Sequence, residues 1–77
     1  MRVKLEGRRT LFGTSLEVVK ELGKYVLLDD REESVDRHMM KALKRMGSKK
    51  KLLDKTLEKR CESFLKELEK HADVKIL

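Results

Sequence analysis

The chain has 77 residues and carries 20 Lys or Arg against 14 Asp or Glu, for a net charge of +6. One domain of this size buries too little surface to support both a large core and a deep catalytic pocket. Its single Cys rules out a disulfide framework, and Cys61, His38 and His71 fit no zinc-ligand spacing.

Support must therefore come from a dense helical core or from oligomerisation. No apolar run approaches the roughly 18 residues of a membrane span, and Met1-Arg2-Val3-Lys4-Leu5-Glu6 lacks the apolar stretch of a signal peptide. These features predict a cytoplasmic protein with a reduced Cys61. The chain has neither Asn nor Gln, and 44% of it is charged, which points to a thermophilic source.

In chain order, Val3 and Leu5 alternate with polar residues, Glu6-Gly7-Arg8 reads as a turn, and Thr10-Leu11-Phe12 resumes the alternation. This predicts a short hairpin or one irregular strand. Thr14 and Glu17 have the spacing of a capping box. Leu16, Val18, Val19 and Leu22 then give a short helix, with Gly23 placed to end it in a left-handed conformation.

Tyr25-Val26-Leu27-Leu28 is a compact apolar run that reads as a buried strand or as a continuation of the first helix, with the strand as the expectation. Asp30 is placed to cap a second helix with Glu33 three residues on. Val35, Met39, Ala42, Leu43 and Met46 carry that helix to Gly47. Ser48 is the predicted cap of a third and longest helix, with Leu53, Leu57, Cys61, Phe64, Leu68 and Ala72 as its apolar stripe. Asp73 to Leu77 alternates and reads either as a terminal strand, pairing with Val3 to Leu5 or with a second subunit, or as a frayed helix end. The predicted fold class is α+β and mainly helical. A single domain spans 1–77, with an N-terminal hairpin and short-helix extension over 1–23, a strand-helix-helix unit over 24–72 and a possible terminal strand over 73–77.

Charge is concentrated in one stretch. From Arg37 to Arg60 there are ten Lys or Arg against Asp54 and Glu58 alone. Such a run is either a solvated helix surface or an electrostatic footprint for a polyanion. If Ser48 starts a helix, its free N–H groups and the lysines after it make a phosphate-binding geometry.

Strand, capped helix, Gly47-Ser48 turn and capped helix, with Leu52-Leu53-Asp54-Lys55-Thr56-Leu57 after the turn, resembles the ribbon-helix-helix family of repressors over about residues 24–70. The resemblance implies a homodimeric DNA-binding protein, a transcriptional regulator. Two chains would pair their strands into a ribbon and pack Met39, Leu43, Leu53, Leu57, Cys61 and Phe64 into a shared core. The nucleic-acid-binding residues would be Ser48, Lys49 and Lys50 as donors to phosphate, with Lys44, Arg45, Lys51 and Lys55 setting the long-range field. The candidate strand over 24–30 offers few base-reading side chains on either face, so backbone contact rather than sequence readout is the expectation. A rival register places the ribbon at Arg8 to Phe12, with Arg8 and Thr10 as readers. The alternative function is a non-enzymatic interaction module whose long last helix packs on a partner and whose charge meets an acidic protein surface. No Gly-rich phosphate loop, nucleophile elbow or metal cluster is present in the sequence, so neither an enzyme nor a cofactor is predicted. Cys61 reads as a small buried hydrophobe.

Overall fold

The computed structural model describes residues 1–5, 9–23, 31–72 and 74–77. Its elements are β1 (Arg2–Leu5), β2 (Thr10–Phe12), α1 (Ser15–Leu22), α2 (Glu32–Arg45), α3 (Leu57–His71) and β3 (Val74–Ile76). The predicted strand at Tyr25 to Leu28, the Asp30 cap and the turn at Glu6-Gly7-Arg8 lie outside the described residues.

β1 is the central strand of an antiparallel sheet ordered β2-β1-β3. Val3 sits opposite Leu11 on one side and Ile76 on the other, so the apolar alternation of all three segments falls on one face. The terminal strand therefore forms and pairs with β1 of its own chain. Both neighbours of β1 come from the same chain, and the rival ribbon segment Thr10–Phe12 is an edge strand of this sheet.

The core unites both ends of the chain. Val3 and Leu11 from the sheet, Val18 and Val19 from α1, Val35, Met39 and Leu43 from α2, and Cys61, Phe64 and Leu65 from α3 form one buried cluster. Each large apolar side chain removed from water contributes roughly 1.5–3 kcal/mol, which makes this cluster the main favourable term set against the entropy of ordering the chain. Met39, Leu43, Cys61 and Phe64, which the resemblance assigns to a core shared by two chains, are buried in this chain's own core, and Leu57 is half-buried. Leu53 does not lie on the stripe of α3, which begins after it, and is 82% exposed in the single chain.

α1 forms as its sequence dictates. Thr14 Oγ1 accepts from the Glu17 N–H, and Glu17 accepts from the Thr14 N–H, completing the capping box. Glu58 of α3 also accepts from the Leu16 N–H, at 3.3 Å, so a carboxylate from another helix serves the start of α1. Gly23 ends α1 without the expected left-handed turn, since its φ is −98°. The glycine is favoured there because His38 packs against it. A Cβ at this position would lie 2.7 Å from His38 Nε2.

α3 gives the main correction. It starts at Leu57 with Thr56 as N-cap, not at Ser48, and residues 48–56 are not helical. The reason is electrostatic. Lys49, Lys50 and Lys51 would meet the positive end of the helix dipole, whereas Thr56 accepts from the Lys59 N–H and Glu58 places a carboxylate in the first turn. The Leu52 to Thr56 segment that carries the ribbon-helix-helix rhythm thus precedes the helix. Among the described residues no helix is long and apolar enough to cross a membrane.

Candidate functional site

The residues between Gly47 and Leu57 form a strap that runs back along α3, and local chemistry fixes it at both ends. At its start, α2 closes in a Schellman arrangement. Gly47 takes φ +74°, its N–H donates to the Lys44 carbonyl at 3.1 Å, and the Ser48 N–H donates to the Leu43 carbonyl at 3.0 Å. Ser48 Oγ donates to Glu67 Oε2 at 2.6 Å and accepts from the Lys50 N–H at 3.1 Å. Glu67 is held below the usual carboxylate range, first by the Ser48 hydroxyl and then by Lys70 and His71.

At the far end Arg60 is the anchor. It donates to the Asp54 carbonyl at 2.9 Å and to the Lys55 carbonyl at 3.2 Å, while its fork grips Asp36 at 2.9 and 3.2 Å and also pairs with Glu32. Ser63 Oγ donates to Asp54 Oδ2 at 2.7 Å. One guanidinium therefore joins α2, the strap and α3. Arg60 was not singled out by the sequence. Its signal was the Asp36–Arg60 pair, which is legible only once the two helices are known to be adjacent.

Between the strap and the C-terminal half of α2 runs a groove of about 880 Å³. Lys44, Ser48, Lys49, Lys50 and Lys51 line it, together with the apolar Met40, Leu43, Leu52 and Leu53. Five of the seven candidate nucleic-acid-binding residues are thus brought to one surface. Arg45 and Lys55 lie outside it. Ser48 differs from its expected role, because its hydroxyl is committed to Glu67 and it caps no helix.

Charge in the groove is one-sided. Its carboxylates, Asp36 and Asp54, are occupied by Arg60 and Ser63. None of Lys44, Lys49, Lys50 and Lys51 forms a salt bridge among the described residues. Ammonium groups arranged in this way over an apolar floor can attract an anionic chain and give its hydrophobic parts a place to rest.

The titratable groups elsewhere serve the fold. Cys61 is fully buried, and burial pushes its thiol up to about 11. His38 is held below the ordinary imidazole value by burial and by Arg45. Among the described residues no three His, Cys, Asp or Glu side chains converge as a metal site. No protein-family model matches this chain, and no curated protein or solved structure matches it.

Proposed function

We propose that this protein is a small, non-enzymatic DNA-binding protein that holds phosphates on the strap surface formed by Lys44, Lys49, Lys50 and Lys51. The observation that carries this reading is the convergence of those four lysines on one groove while the neighbouring carboxylates are engaged internally. Contacts of this kind position a protein on the duplex without reading its sequence. Helix-terminus donors play no part, since Ser48 to Lys51 lie well before the start of α3. The regulator role and the homodimer implied by the ribbon-helix-helix resemblance belong to the same proposal, because a two-fold pair of straps doubles the phosphate contacts.

Fluorescence anisotropy with a short duplex over a range of salt concentrations tests it. Each phosphate contact contributes about 0.9 to the slope of log affinity against log salt, so Lys49→Ala with Lys50→Ala should reduce the slope by about 1.8 for each chain bound, or about 3.6 for the homodimer. An unchanged slope overturns the reading. Light scattering tests the homodimer.

A second reading has its own observation. Met40 is 65% exposed and Leu53 is 82% exposed, and both line the groove. An acidic protein segment with apolar side chains would use both features, whereas a phosphate backbone uses only the lysines. Such a partner would sit on the strap rather than on the last helix, because Cys61, Phe64 and Leu65 of α3 are buried in the chain's own core. Leu53→Ser separates the two readings. It should leave duplex affinity unchanged if the ligand is DNA.

A further inference from the structure

The sheet has a second face, remote in sequence from the strap. Val3, Leu11 and Ile76 turn inward, so Arg2, Lys4, Thr10, Phe12 and Lys75 turn outward. Two rows result. Phe12 sits opposite Arg2, and Thr10 sits opposite Lys4, which in turn faces Lys75. The described outward residues therefore comprise three cations, one hydroxyl and one aromatic ring, with no carboxylate.

Two features of this face contribute little to folding or oppose it. Phe12 is 68% exposed, so most of its ring adds nothing to the core. Lys4 and Lys75 are directly opposite one another, and like charges across a strand pair destabilise it. Both make sense against a ligand with a flat apolar surface and regular negative charge. The Arg2 guanidinium lies over the Phe12 ring at 5.9 Å from its centroid and covers one of its faces, so a stacked base would use the ring surface that this contact leaves open.

We infer that the outer face of the sheet is a binding platform for single-stranded nucleic acid, with a nucleobase stacked on Phe12 and the flanking phosphates held by Arg2, Lys4 and Lys75. Single strands are the fitting form because a paired base is stacked on its own neighbours and cannot present its face to a side chain. The platform reads little sequence, since every base has a π-face. It stands independently of the strap, which offers lysines and aliphatic side chains but no aromatic ring among its lining residues.

The chain has no Trp, so Phe12→Trp places a single fluorescent reporter on the platform. Titration with a short oligothymidylate should quench the emission of the introduced indole as the base stacks. In anisotropy with the same oligonucleotide, Phe12→Ala and Phe12→Leu should each weaken binding by about 5- to 150-fold, the range expected for one stacked base. Lys4→Ala with Lys75→Ala should lower the salt slope by about 1.4. Circular dichroism confirms that each variant is folded, as the exposure of these side chains predicts. Absence of quenching in the Phe12→Trp variant, or a Phe12→Leu variant that binds as the parent does, overturns the platform. When Lys49→Ala and Lys50→Ala are added to Phe12→Trp, loss of duplex binding with quenching intact supports both sites. Quenching with an unchanged duplex salt slope in that combined variant overturns the strap reading alone.

Discussion

Ser48 Oγ donates to Glu67 Oε2 at 2.6 Å, and this bond ties the end of α2 to the C-terminal half of α3 across 19 residues of chain. The same bond lowers the Glu67 pKa. A carboxyl whose folded pKa lies below its unfolded value contributes stability that is present above the unfolded value. That contribution is lost as pH falls through the folded one. The Glu67 contribution is therefore full at neutral pH and disappears below the ordinary carboxylate range of about 4.3. Ser48→Ala should raise the Glu67 midpoint, read by carboxyl NMR titration. A midpoint that does not move would show that Lys70 and His71 set it instead.

Gly23 and Gly47 should fail for different reasons when replaced by Ala. At Gly23 the backbone is ordinary and the obstacle is the His38 ring, with three ring atoms within 3.2 Å of the new Cβ. The imidazole can swing aside, so a cost of about 1 kcal/mol is expected, at the low end of overpacking. In a Gly23→Ala, His38→Ala double-mutant cycle the two changes should couple, because the second removes the obstacle. At Gly47 nothing lies within 4 Å, and the cost, also about 1 kcal/mol, comes from φ +74° alone. No neighbouring substitution should rescue it. Denaturant melts of the parent and these variants check both statements.

Arg60→Lys keeps the charge but loses the planar fork that serves Asp36 and the two strap carbonyls together. The far end of the strap should then open more often while the core persists. Limited trypsin digestion should cut after Lys49, Lys50 and Lys51 faster than in the parent, with the melting midpoint lowered far less than in Leu65→Ala, which removes a fully buried side chain. Equal cleavage rates would show that the Ser48–Glu67 and Ser63–Asp54 bonds hold the strap unaided.

Cys61 is predicted to resist alkylation in the native state. Its thiol is buried and its pKa stands at about 11, so the reactive thiolate is scarce at mildly alkaline pH and the sulfur is shielded as well. Iodoacetamide labelling followed by mass spectrometry should show modification only in denaturant. Rapid labelling of folded protein would contradict the packing of α3.

Short-range features could be read directly from the order of residues. The capping box of Thr14 and Glu17, the alternation that makes β1 and β2, the stripe of Val35, Met39 and Leu43, and the stop at Gly47 all rest on residues within a few positions of one another, where backbone chemistry acts directly. The basic charge of the stretch after Gly47 was legible for the same reason, as a local excess of lysine, although its residues were expected in a helix and form a strap. The remaining features depend on partners far apart in the chain that meet only when it folds. Whether 74–76 is a strand depends on β1, at the opposite end of the chain. Gly23 is explained by His38, and the strap by Arg60 and Glu67. The helix start at Thr56 was decidable in principle, since three lysines oppose the positive end of a helix dipole. The Gly47-Ser48 signal concealed it, because a stop for one helix looks the same in sequence whether a second helix or an extended strap follows.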